Sequence, residues 1–103
     1  METVEGNKLI AEFMGHKNVK IFNQSVGARE DDTATVKHGY YSIGYYHSSW
    51  DALMPVAQKI LSTDTGTMDV YTLYVCDSLR TADISKVWES CIDFIQWHKN
   101  INP

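Results

Sequence analysis

Hydrophobic positions recur at helical spacing in three stretches of the chain. Leu9, Ile10, Phe13 and Met14 fall on one side of a turn-by-turn wheel and predict a short helix from Glu5 to Met14. Gly15 stands where such a helix ends in a left-handed residue. Trp50, Leu53, Met54, Val56, Ala57, Ile60 and Leu61 predict a second helix from Trp50 to Leu61. Ser48 is its candidate N-cap, with Asp51 in the place a capping box gives to Glu. Pro55 interrupts that helix, but it falls beside Asp51, Gln58, Lys59 and Ser62 on the polar face. There the carbonyl it leaves unpaired can bond to water.

The third helical pattern, Asp83 to Asn100, is the longest. Ile84, Val87, Trp88, Cys91, Ile92, Ile95 and His98 form its stripe, and Phe94, Trp97 and Ile101 widen it. The apolar arc spans roughly 220°, against the roughly 100° that a surface helix needs. Something must cover the excess, either a loop of the same chain or a partner subunit. The aromatics Phe94 and Trp97, with Ile101, are therefore candidate interface residues.

Three other stretches predict strands. Val19 to Asn23 is short. Val36 to Tyr46 is tyrosine-rich and broken by Gly39 and Gly44, as at a bulge or bend. Met68 to Cys76 carries apolar residues on both alternating faces, Met68, Val70, Tyr74 and Cys76 on one and Tyr71, Leu73 and Val75 on the other, which predicts a strand covered on both sides. Between them, Gln24 to Thr35 is polar, contains the acidic run Glu30-Asp31-Asp32, and predicts a loop; Ser62 to Thr67 and Asp77 to Thr81 also predict connections. The predicted order is α-β-β-α-β-α, an α/β (α+β) class without internal repeats.

With 103 residues, 44% of them hydrophobic and 21% charged, the chain is expected to fold as one domain, residues 1–103, around one core. No basic leader with an apolar run and no long apolar stretch occurs, so the expected setting is the cytoplasm, without membrane insertion. The two cysteines, Cys76 and Cys91, suit buried thiols in a reducing compartment. The net charge of −4 and the scattering of nine Lys and Arg give no cationic footprint, so DNA is not an expected partner.

The densest patch of candidate chemistry is Tyr45-Tyr46-His47-Ser48-Ser49-Trp50-Asp51. Aromatic faces there could stack a planar group, while the serines and the backbone N–H groups of a helix start could bind an anion. Tyr45, Tyr46, His47, Ser48, Ser49 and Trp50 are thus the candidate ligand-binding residues. The plainer alternative is a strand border followed by an ordinary helix cap. No Gly-rich phosphate loop accompanies the patch. His47 beside two serines admits a hydrolase alternative, but neighbours on a strand point to opposite faces and no nucleophile elbow surrounds the serines, so no catalytic residue is assigned. His16, His38, His47 and His98 lack ligand spacing, the cysteines lack a CxxC partner, and the acidic triplet lacks the alternating ligands of a calcium loop. No metal and no cofactor is expected.

Three segments together carry a family likeness: residues Asn7 to Gly15 (NKLIAEFMG), Tyr46 to Val56 (YHSSWDALMPV) and Trp88 to Trp97 (WESCIDFIQW). In content and order they resemble the phage ABA sandwich domain, found in small proteins of phages and prophages of Bacteroides-like gut bacteria. The middle segment is the most specific. Ala52 departs from the pattern, which has an aromatic there, and Gln24 to Thr35 has no counterpart. The resemblance implies a single-domain α/β/α sandwich and a viral or prophage origin. The expected role in that setting is an accessory protein that binds a host protein or a small anionic ligand, with counter-defence as one use. It implies no catalytic residues. A homo-oligomer through the third helix is the expected assembly, with a virion-assembly module as the structural alternative.

Overall fold

The computed structural model describes residues 2–22, 25–28, 41–43, 45–63 and 70–101. Seven elements follow in the order α1 (Thr3–Phe13), β1 (Lys20–Phe22), β2 (Ser25–Ala28), β3 (Tyr41–Ile43), α2 (Trp50–Ser62), α3 (Val70–Leu79) and α4 (Ile84–Ile101). The class is α+β, with four helices and a three-stranded antiparallel sheet in the order β1-β2-β3 among the described residues. The predicted order α-β-β-α-β-α is therefore corrected to α-β-β-β-α-α-α. The chain divides into two compact units, Met1–Tyr45 and Tyr46–Pro103.

In the first unit, α1 packs against β1 and β2. Ile10 and Ala11 of α1 are buried, as are Val26 and Ala28 of β2. Asn7 is a buried polar residue whose side chain has a partner. The helix ends as its sequence predicts. Gly15 takes φ +94°. Its N–H donates to the Glu12 carbonyl at 3.1 Å, and the His16 N–H donates to the Ala11 carbonyl at 3.1 Å. That pair of bonds is a Schellman closure, and its pivot is a left-handed residue.

β2 falls inside the stretch Gln24 to Thr35 that the sequence predicts as a loop. Ser-Val-Gly-Ala has little strand propensity of its own. Pairing on both edges makes it a strand: Ile21 faces Val26 on one side, and Val26 faces Ile43 on the other. Of the predicted strand Val36 to Tyr46, the three residues of β3 are strand. Residues 36–40 and 44 lie outside the described residues, as does the acidic run Glu30-Asp31-Asp32.

In the second unit, α4 packs against both α2 and α3. Val87, Trp88, Cys91, Ile92 and Ile95 of the predicted stripe are buried, together with Phe94 and Ser90. Leu53, Val56, Ala57 and Ile60 of α2 complete this core. Trp50, Met54 and Leu61, predicted on the same apolar face of α2, remain partly exposed. Pro55 is exposed, as its polar-side position predicts.

The largest correction concerns Met68 to Cys76. Residues 70–76 are helical in α3, not a strand, and Met68 lies outside the described residues. Val, Tyr, Thr and Cys cost about half a kcal/mol each relative to Ala in a helix, so local propensity opposes this outcome. Packing on α4 overrides it. Val75 is fully buried. The Tyr71 ring stacks on Trp97 with centroids 5.3 Å apart and planes 25° apart. The Ser78 and Ser90 hydroxyls pair at 2.7 Å. These contacts run in opposite chain directions, so α3 and α4 form an antiparallel hairpin. Helix α3 is thus the cover that the wide apolar arc of α4 requires.

The hairpin connection is tight. The N–H groups of Arg80, Thr81 and Ala82 donate to the carbonyls of Asp77, Ser78 and Leu79. Asp83 caps α4, its Oδ1 accepting from the N–H groups of Ser85 at 3.0 Å and Lys86 at 3.4 Å. Ala82 enters this cap at φ 54°, a left-handed conformation that strains a residue with a Cβ.

Two opposite backbone effects are expected. Gly15→Ala should destabilise the protein by about 1 kcal/mol, through φ alone because open space surrounds a Cβ there. Ala82→Gly should be stabilising by up to about 1 kcal/mol, the relieved strain being partly offset by chain entropy. Urea titrations of both variants measure the difference. A second comparison tests the α4 cover. Phe94→Ala should cost about 3–5 kcal/mol, whereas Ile101→Ala at the exposed helix end should stay within about 0.5 kcal/mol. Thermal unfolding of the two variants side by side would show it.

Candidate functional site

The sequence from Tyr45 to Asp51 crosses from the end of the first unit into the second. Its residues differ sharply in exposure. Tyr45 is 58% exposed, and Tyr46 is 6% exposed. Burial pushes the Tyr46 hydroxyl pKa above its ordinary value, because the phenolate would lose its hydration. Tyr46 is a core residue, and its ring face is not offered to a ligand.

From Tyr46 to Ser48 the backbone turns, and Ser49 is extended at φ −131°, ψ 118°. Ser49, not Ser48, is the N-cap. Its Oγ accepts from the Ala52 N–H at 3.4 Å. Its carbonyl accepts from the Ala52 and Leu53 N–H groups at 3.2 and 3.0 Å. The shift by one residue has a chemical consequence. A capping box needs an acidic or amide side chain three residues after the cap, and that place is held by Ala52. Asp51 instead sits in the first turn, exposed, where its charge favours the positive end of the helix dipole.

Around this helix start, His47 and Ser48 are exposed and Trp50 is 38% exposed. The second unit therefore presents an imidazole, a hydroxyl and an indole beside the N-terminus of a thirteen-residue helix. Such a group can hydrogen-bond and stack, and the helix start favours an anion. Asp51 opposes that anion with its own charge.

The candidate interface residues are placed differently from one another. Phe94 is fully buried and takes part in an aromatic row, tilted to Trp97 at 5.7 Å and stacked on His98 at 5.6 Å. Trp97 is half-covered, with Tyr71 stacked on it. Ile101 is exposed. Phe94 is therefore covered within the chain itself, while Tyr71 of α3 covers one face of Trp97 and leaves the rest of that ring partly exposed. The cover on Trp97 comes from α3, hidden in the sequence because its run is β-prone and apolar on both faces, as a covered strand's is.

Neither cysteine forms a disulfide. Burial pushes the Cys91 thiol up to about 12, so its thiolate is disfavoured and the group is inert. On α3, Cys76 projects well away from the side that Tyr71, Val75 and Ser78 turn toward α4. Among the described residues, no three His, Cys, Asp or Glu side chains gather as a metal cluster, and no helix is long and apolar enough to cross a membrane. His38 lies outside the described residues.

Comparison of the chain with protein-family models, with curated protein sequences and with solved structures finds no match.

The cap assignment is open to test. Ser49→Ala should destabilise the protein by about 1 kcal/mol, the typical cost of a lost N-cap. Ser48→Ala, which leaves the bond from the Ala52 N–H to Ser49 in place, should cost less than Ser49→Ala. Equal losses in both variants on chemical denaturation would refute the assignment.

Proposed function

We propose that this chain is a small phage- or prophage-encoded accessory protein that acts by binding rather than catalysis, in the cytoplasm of a bacterial host. The finer architecture, a single-domain α/β/α sandwich, belongs to the same proposal. Four helices with one antiparallel sheet among the described residues are the element types such a sandwich uses. The ligand is a host protein or a small anionic molecule of the nucleotide class. One observation carries this: the start of α2 is capped by Ser49 and flanked by exposed His47, Ser48 and Trp50, which together offer donors and one stacking face.

Within that group, Ser49 holds the helix start in shape, Ser48 and His47 donate to the anion, and Trp50 stacks on the planar part. Tyr46, being buried, anchors the chain just before the turn. Self-association is the second part of the proposal. Met54 and Leu61 lie along one edge of α2, and Val70, Leu73 and Tyr74 on the part of α3 that α4 leaves uncovered, all partly exposed. Apolar residues left in water at this density favour an interface between copies.

Isothermal titration with a panel of cyclic and linear nucleotides tests the ligand. Binding is expected, lost by tenfold or more in Trp50→Ala and strengthened in Asp51→Asn, which removes the competing carboxylate. Absence of heat with every member of the panel removes the nucleotide ligand from the proposal.

A further inference from the structure

Residues 70–76, Val-Tyr-Thr-Leu-Tyr-Val-Cys, form an uncharged run bounded by Asp69 and Asp77. Val70, Tyr71, Thr72, Tyr74 and Val75 are residue types that favour extended backbone over helix. In α3 they are nonetheless helical, and only Val75 among them is buried. Val70, Leu73 and Tyr74 are 48%, 44% and 50% exposed. The helix is held by packing on α4, and to a lesser extent on α2, with Val75 in the core, Tyr71 on Trp97 and, one turn on, Ser78 on Ser90, while Val70, Leu73 and Tyr74 stay half in water.

We propose that α3 is a convertible element: released from α4, residues 70–76 become extended and pair with the same segment of a second copy of this chain. The chemistry of the run selects that partner. Extended, it turns Val70, Thr72, Tyr74 and Cys76 to one face and Tyr71, Leu73 and Val75 to the other. Both faces are then largely apolar or aromatic, with no charge, proline or glycine, which is the pattern of segments that stack on identical copies. In register, tyrosine meets tyrosine and no like charges meet within the run. Asp69 and Asp77 stand at its ends, where charges restrain such pairing until the segment is exposed. Conversion stands apart from ligand binding at α2 and from association of copies through intact helices.

The test uses the full chain with reductant present, so that Cys76 and Cys91 cannot cross-link. The chain is incubated with agitation below its unfolding midpoint and followed by thioflavin fluorescence and circular dichroism. The fluorescence should rise as helical signal is replaced by strand signal. Leu73→Lys and Val70→Lys, both at exposed positions, should keep the starting helix content and lose the fluorescence rise. Three outcomes would overturn the proposal: no rise in the unaltered chain, self-association with helix content unchanged, or conversion of both lysine variants at the original rate. The second of these would leave an oligomer of intact helices standing.

Discussion

Within the second unit, everything depends on covering α4. Its apolar arc is too wide for one neighbour, and leaving Phe94 or Trp97 in water would forfeit about 2 kcal/mol or more per side chain. Helix α2 covers one flank with Leu53, Val56, Ala57 and Ile60, and α3 covers the other with Val75 and Tyr71. This requirement explains why a segment with poor helix propensity is helical. The hairpin brings Ser78 onto Ser90, where one hydroxyl donates to the other at 2.7 Å, and the hydroxyl that accepts donates in turn to a carbonyl of its own helix, Val75 for Ser78 or Val87 for Ser90. The polar atoms at this helix crossing are thereby satisfied by one another and by the backbone, as a buried crossing demands.

What was legible in the sequence follows from where local and global preferences agree. Helix α4 shows a 3.6-residue repeat over five turns, and its stripe from Val87 to Ile95 is buried as the pattern predicts. The end of α1 was legible because only one residue type readily takes φ +94°, and Gly15 stands there. Two elements were not legible, for opposite reasons. Residues 70–76 read as a β-prone run apolar on both faces, but their state is decided by an apolar arc some twenty residues further along, which no local window contains. Ser25 to Ala28 carry almost no signal, because a strand paired on both edges can be held by backbone bonds between short side chains.

The candidate site was legible in outline and displaced in detail. The sequence marks the transition into α2 correctly, yet places the cap on Ser48. One residue of shift moves Asp51 from a closing position of a capping box to the first helical turn, and brings Ala52 to the place where the box would close. It also separates two adjacent tyrosines by role, Tyr46 inside and Tyr45 outside. Residue type alone cannot make that distinction, since tyrosine is at home in either setting.

The cap geometry also constrains what the α2 start can bind. A neutral helix start draws an anion with the full strength of its aligned N–H dipoles, but the exposed Asp51 already occupies that field with a charge of its own. An anion docking there has to approach from the side of His47, Ser48 and Trp50, away from the carboxylate, and to gain more from stacking and hydrogen bonding than from charge. A bare inorganic anion has no planar group to offer Trp50. A ligand that combines an anionic group with a flat ring satisfies both demands, and this is why the nucleotide class, rather than simple phosphate, is the chemistry that fits the start of α2.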